Sequence, residues 1–375
     1  MSMQSQDETE EIISTLTLTS LRGLSQSQAL ALITYYGNAT QALADTHSPE
    51  QHWAAMLSNK SALQQARERA IEEYDFCQQH NIRVLPLTSP DYPQLLQTDE
   101  VADRPLQLFY RGTGSLNTRH ILSVVGTRQI TTYGKELCEN LLRELSLLIP
   151  DVLIVSGLAY GVDIHAHRAA LKNNLNTVAV LAHGLDRIYP QLHRNTALEM
   201  MQHGGLLTEY FTKTIPDKGN FVRRNRIVAG ISAATLVIES ANKGGSLITA
   251  TIANSYGREV LAVPGRTFDE YSMGCNALIR SNKATLVTSA QDIVDTMGWS
   301  VPSAKKKDVQ PSLFPLFTPE QEKLLDLLQT ADEFTLDQLA AQTGRSISTL
   351  SDMLFDLEDA EAVKRMPGNR YRICK

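Results

Sequence analysis

Cysteine is scarce in this chain of 375 residues, and its four cysteines (Cys77, Cys138, Cys275, Cys374) lie far apart with no Cys-x-x-Cys pair. That spacing excludes a zinc ribbon and a disulfide frame and points to reduced thiols. Long apolar runs are missing, so no segment has the length of a bilayer-spanning helix. The opening MSMQSQDETEE is acidic and has no apolar centre, unlike a secretory signal. A soluble, cytoplasmic protein is the expectation. The chain also lacks a Gly-x4-Gly-Lys-Ser/Thr phosphate loop. Gly134-Lys135 ends a stretch of the wrong spacing, so nucleotide hydrolysis is not expected.

Positive charge is in short supply overall, with 35 Lys and Arg against 41 Asp and Glu and a formal net charge of −6. The deficit is uneven. Residues 1–118 carry 7 basic against 14 acidic side chains, and residues 318–375 carry 7 against 11. Residues 119–289 reverse the balance at 18 against 13. Anion binding follows the local field rather than the net charge, so the middle of the chain is where an anion partner is expected.

Residues 12–75 show helical spacing of leucines, interrupted at Gly23 and Gly37, and predict a small helical domain. The phrase Leu21-Arg-Gly-Leu-Ser-Gln is similar to a helix–hairpin–helix turn, but Arg22 is its only charge and a structural bundle explains it as well. Short strands at Ile82–Leu87 and Leu106–Tyr110 are expected to add to the edge of the sheet that follows. From Ile121 to Val287, apolar runs alternate with helical stretches. That alternation predicts an α/β fold: an extended Rossmann-like, doubly wound, mostly parallel sheet.

Ligands in such sheets bind beyond the carboxyl ends of the strands. The residues that follow each run are therefore the informative ones: Gly126-Thr127-Arg128, Ser156-Gly157 with Gly161, Glu209, Lys243-Gly244-Gly245-Ser246, and Pro264-Gly265-Arg266. The densest stretch is Lys218 to Arg226, where Phe221 sits among Lys218, Arg223, Arg224 and Arg226, with Asn225 between the last two and no acid. The strand Thr235–Ile238 comes next, then the Gly244-Gly245-Ser246 turn, with Ser246 expected to cap the following helix. Strand, glycine turn and helix start together offer bare N–H groups to a phosphate.

A Pro- and Lys-bearing segment from Val301 to Pro315, with Lys305-Lys306-Lys307, reads as a linker. Helices at Pro319–Leu328, Leu336–Gln342 and Ser346–Leu357, followed by strands around Pro367-Gly368-Asn369, have the pattern of a winged helix. Its would-be recognition helix carries Asp352, Asp356, Glu358 and Asp359 and no cation, which favours a protein partner over DNA. The expected organisation is a helical domain over 1–78 and a Rossmann-like domain over 79–298. A linker over 299–317 and a winged helix over 318–375 complete it.

Taken together, Gly126-Thr-Arg, Ser156-Gly-x-Ala-x-Gly-Val-Asp, Thr208-Glu-Tyr, Phe221-x-x-Arg-Asn-Arg-Ile, Gly245-Ser-Leu-x-Thr-Ala, Gly257-Arg-Glu, Val263-Pro-Gly and Gly274-x-Asn-x-Leu-Ile resemble the DprA/Smf family of DNA-processing proteins. The resemblance implies single-stranded DNA binding, homodimerisation through the central domain and loading of the RecA recombinase during natural transformation, with no cofactor. It also implies a SAM-like N-terminal helical domain. It places DNA contacts at Arg128, Lys218, Phe221, Arg224, Asn225, Arg226, Gly245 and Ser246. Gly244 stands where many members have serine, and Thr127 where serine is frequent.

Plainer roles compete at several positions. Arg128 could pair with Asp163 or Glu239, and Phe221 could be core. On one helix Arg223 and Arg226 share a face and Arg224 does not, so one of the three is expected to be structural. Ser156 has no nucleophile elbow around it. Asp163, His165 and His167 splay around a helix, so helix capping by Asp163 and packing by His167 fit better than a metal site. No catalytic or metal-binding residue is assigned. The alternative class is a nucleotide-processing enzyme related to lysine-decarboxylase-like phosphoribohydrolases, with Glu209 or Glu239 as its acid. Pro264-Gly-Arg-Thr breaks the glycine turn such enzymes use.

Overall fold

Alternating apolar runs become strands that share a sheet. The computed structural model describes residues 3–45, 59–301, 317–328, 334–359, 362–366 and 370–373. Within these, the chain begins with α1 (Met3–Ser20), α2 (Gln26–Tyr36), α3 (Ala39–Ala44) and α4 (Lys60–Gln79). Strands β1 (Arg83–Pro86), β2 (Gln107–Gly112) and β3 (Ile121–Val125) follow. Then helices and strands alternate through α5 (Thr132–Leu148), β4 (Leu153–Ser156), α6 (Val162–Lys172), β5 (Thr177–Val180), α7 (Arg194–Met200), β6 (Gly204–Thr208) and α8 (Lys218–Gly230). The series ends with β7 (Ala234–Val237), α9 (Gly245–Ser255), β8 (Glu259–Ala262), α10 (Met273–Arg280), β9 (Thr285–Leu286) and α11 (Ala290–Met297).

The sheet order is β1-β2-β6-β5-β4-β3-β7-β8-β9. Strands β3 to β9 pair in parallel, while β1 and β2 join one edge antiparallel. Both faces are covered, as parallel sheets require. Along β3, Leu122 and Val124 pack with Cys138, Leu141 and Leu145 of α5 and Ala166 of α6. Ile121 and Val125 face the other side, with Ile227 and Val228 of α8 and Ala250 of α9. Ser123 is buried on that second face and donates to the Val228 carbonyl at 2.6 Å. The three layers therefore follow from the period of two in each short strand.

The chain runs outward from β3 through β4, β5 and β6, then returns to the other flank of β3 to make β7 and β8. This reversal opens a crevice at the carboxyl ends of β3, β4 and β7.

The N-terminal helices pack on the sheet and belong to the same compact unit, Met1–Pro302, so the expected boundary near residue 78 falls inside it. Glu73 of α4 accepts from the Thr212 N–H at 2.8 Å, and Thr19 donates to Gln107 at 2.6 Å. Gly23 and Gly37 break the helices with φ of +90° and +87°. Ser25 caps α2 with a capping box, which accounts for the Leu21–Gln26 phrase structurally.

The second unit is Ser303–Lys375. It contains α12 (Pro319–Leu328), β10 (Phe334–Thr335), α13 (Leu336–Thr343), α14 (Ile347–Asp359), β11 (Val363–Met366) and β12 (Arg370–Ile373). The short β10, which the sequence pattern did not announce, completes a sheet of order β10-β12-β11. The Lys305–Lys307 linker and the Pro367–Asn369 turn lie outside the described residues. Among the described residues, no helix is long and apolar enough to cross a membrane, and no cluster of His, Cys, Asp or Glu could hold a metal.

Candidate nucleic-acid interface

The crevice at the strand reversal holds a cavity of about 370 Å³. Its walls come from three strand ends and one helix. Gly126, Thr127 and Arg128 follow β3, Gly157, Ala159 and Asp163 follow β4, and Lys243 to Ser246 follow β7. The first turns of α8 contribute Lys218, Phe221 and Asn225. Residues more than one hundred positions apart thus meet in one pocket.

The loop after β4 is shaped by its glycines. Gly161 has φ +75°, and a Cβ there would lie 2.1 Å from the Thr127 carbonyl oxygen, so only glycine lets the β3 and β4 loops touch. Leu158, between Gly157 and Ala159, is held at φ 55° with its side chain buried. A non-glycine residue in that region costs energy and persists only where its surroundings fix it. Asp163 supplies part of that fixing: its carboxylate accepts from the Gly157 and Ala159 N–H groups at 3.1 and 3.3 Å. The expected helix cap is instead a loop clamp, since Gly161 occupies the N-cap of α6 without a side-chain bond. Burial pushes the Asp163 carboxyl up from the usual carboxylate range, opposed by the Arg224 guanidinium and these hydrogen bonds.

The start of α8 departs from the sequence expectation. Arg224 is only 3% exposed and donates to the carbonyls of Gly157, at 2.8 Å, and Val180. It ties α8 to the ends of β4 and β5 and forms part of the cavity wall, with little of its surface in solvent. Arg226 is 5% exposed and bonds Glu209 at 2.6 Å. Arg223 is exposed but faces away from the pocket, towards Gln26 and Glu209. The shared face of Arg223 and Arg226 holds as expected. The structural residues, however, number two: Arg224, bound to the carbonyls of Gly157 and Val180, and Arg226, paired with Glu209.

Three cations remain exposed around the cavity: Arg128, Lys218 and Lys243. Among the described residues Arg128 forms no ion pair, with Asp163 and Glu239 or any other acid. Its guanidinium carbon lies 5.2 Å from the centroid of the half-buried Phe221 ring. The Arg224 guanidinium carbon approaches the same ring at 5.9 Å, and the centroid of the Tyr189 ring lies 6.1 Å from that of Phe221.

The glycine turn is built differently from expectation. Gly244 is the N-cap of α9, and the Ser246 hydroxyl turns inward to donate to Ser240 at 2.8 Å. Gly245 is open, and a Cβ there would meet nothing within 4 Å. The first N–H groups of a helix have no acceptor within it, so the start of α9 faces the cavity with free donors. Two further expected residues stand apart. Ser156 is fully buried and donates to Val124, and Gly265 belongs to a neighbouring cavity with Thr131, Arg266 and Asp269.

Both acids that the hydrolase alternative requires are engaged elsewhere. Glu239 is buried and takes the Thr131 N–H and hydroxyl, at 2.9 and 2.5 Å. Glu209 is paired with Arg226. His167 is buried with Nδ1 2.7 Å from the Thr177 hydroxyl, a packed residue as expected.

The fold and pocket define a doubly wound α/β protein with an electropositive, amide-lined crevice at its strand reversal. The family model described as DNA recombination-mediator protein A matches residues 83–298, and the DprA winged helix domain model matches residues 305–369. The chain belongs to the DprA/Smf family of DNA recombination mediators. Protein Smf of Escherichia coli K12 is 32% identical over 370 residues, covering 92% of this chain and 94% of that protein. DNA processing protein DprA of Bacillus subtilis is 36% identical, over 69% of this chain and 85% of its own. The X-ray structure of Streptococcus pneumoniae DprA superposes with a TM-score of 0.64 at 31% identity, covering 76% of this chain and 97% of that one. The Helicobacter pylori DprA structure, described for its single-stranded DNA binding mode, gives 0.52 at 31% identity over 58% and 95%.

Proposed function

We propose that this protein binds single-stranded DNA in the crevice at the carboxyl ends of β3, β4 and β7, and delivers it to the RecA recombinase. One observation carries the reading: Arg128, Lys218, Lys243, the free amides of the Gly244–Ser246 turn and Phe221 converge on one cavity of about 370 Å³. Cations and amides suit the phosphate backbone, and an aromatic suits any base, so binding is largely independent of sequence. The relation to the Helicobacter pylori protein supports the choice of single strands.

With three exposed cations, the logarithm of affinity should fall with the logarithm of salt at a slope near −2. That is about 20-fold between 50 and 200 mM. Gel shifts of single- and double-stranded oligonucleotides across salt test this, and a flat response counts against it.

In this reading the protein works without catalysis, and incubation with AMP should release no adenine. It dimerises through the central domain, residues 79–298, which places two strand sites side by side for filament nucleation. Sedimentation showing only monomer at micromolar concentration removes this part. The exposed acids of α14 (Asp352, Asp356, Glu358) suit a protein partner rather than DNA. Function in the cytoplasm follows from such partners. Faster RecA filament nucleation on single strands in the presence of this protein is the expected readout.

A further inference from the structure

The loop between β5 and α7 repeats the chemistry that marks the start of α8. Arg187-Ile-Tyr-Pro-Gln-Leu-His-Arg194 has an exposed arginine at each end, an exposed aromatic inside and no acid. The fold carries this loop to the rim of the crevice, where the Tyr189 ring stands 6.1 Å from the Phe221 ring, inclined at 54°. Tyr189 is 46% exposed. Phe221 is less free to receive a base, because the Arg128 and Arg224 guanidinium groups already lie over its ring at 5.2 and 5.9 Å. Arg187 is held by Asp186 at 2.8 Å, whereas Arg194 forms no ion pair among the described residues. An exposed ring that meets the cavity wall at Phe221, on a loop with an arginine at each end of its sequence, supplies the parts of a stacking position.

We propose that Tyr189 is the base-stacking platform of the single-strand track, with the exposed Arg194 at the start of α7 as a phosphate contact further along the same segment, and that Phe221 seats Arg128. The proposal deepens the single-strand reading above and rests on it. A strand held at Arg128 and Lys218 then continues over the β5–α7 loop, with a base lying on the tyrosine ring. Stacking is indifferent to base identity and to ionic strength, while each phosphate contact adds to the salt slope. The two contributions are therefore separable in one titration.

The experiment is fluorescence anisotropy of a labelled oligothymidylate with the full chain, across salt, on intact and abasic strands. Tyr189→Ala should weaken binding about 5- to 150-fold, the range of one lost base stack, with the salt slope unchanged. Tyr189→Phe should stay within about twofold, since the ring remains. Arg194→Ala should reduce the slope by about 0.7. Wild-type protein should prefer intact over abasic strands, and Tyr189→Ala should lose that preference. A Tyr189→Ala variant that binds like wild type and keeps the preference overturns the proposal, and leaves the crevice reading standing. A wild type that binds no single strand overturns both. If Tyr189→Ala proves unstable, irradiating wild-type protein on a 5-iodouracil strand decides. Cross-links at Tyr189 support the platform, and cross-links confined to Phe221 overturn it.

Discussion

Arg224→Ala should damage the fold before it damages DNA binding. The side chain is 3% exposed, and its guanidinium bridges the carbonyls of Gly157 and Val180, so it fastens α8 to two strand ends. Hydrogen bonds from a charged donor contribute roughly 1.5–3 kcal/mol each, and truncation leaves both carbonyls without this partner. The buried Asp163 carboxylate also loses the cation that offsets its burial. Removing one partner from a buried charge arrangement costs about 3–5 kcal/mol. For a unit of this size that lowers the melting temperature by roughly 6–10 °C. Scanning calorimetry is the suitable assay, following the Met1–Pro302 transition separately from that of Ser303–Lys375, because two units need not melt together. A variant that melts with wild type and loses only DNA affinity would falsify the argument, and would return Arg224 to the surface role its sequence suggests.

Lys218 gives the opposite pattern: it is exposed at the cavity rim, so Lys218→Ala should leave melting within about 0.5 kcal/mol of wild type and reduce the salt slope by about 0.7. An unchanged slope in gel shifts would remove Lys218 from the site. Gly161→Ala places a methyl 2.1 Å from the Thr127 carbonyl, so it should cost about 1–3 kcal/mol and spread the β3 and β4 loops. Unaltered melting and binding together would refute that packing. Burial, with Arg224 and His193 adding, lowers the His167 imidazole to about 3. The folded state therefore refuses a proton that the unfolded chain accepts below about 6.5, and the stability is complete above that pH. It falls as pH drops from 6.5 towards 3, by about 2 kcal/mol at pH 5. His167→Gln should flatten this part of the profile in denaturant titrations, and an equally steep profile would contradict it.

Much of the architecture was visible in the residues because short parallel strands announce themselves as apolar runs. The alternation expected from Ile121 to Val287 becomes β3 to β9, and the expected strand Thr235–Ile238 lies one residue from β7. Loops rich in glycine after those runs pointed to the correct edge of the sheet. The start of α8 was harder to interpret. Lys218 and three arginines look alike in sequence, and helical spacing separates their faces without saying which one the sheet covers. The β5–α7 loop escaped notice because its tyrosine and arginines gain meaning only beside Phe221.

The sequence by itself determined the alternation of strands and helices, the carboxyl-end loops, the winged-helix pattern and the family, since all of these depend on local order along the chain. The tertiary structure decided which charges remain in water. Packing α8 on the sheet buried Arg224 and Arg226 and left Arg128, Lys218 and Lys243 free around the crevice. That choice depends on distances between segments more than a hundred residues apart, which no local pattern records.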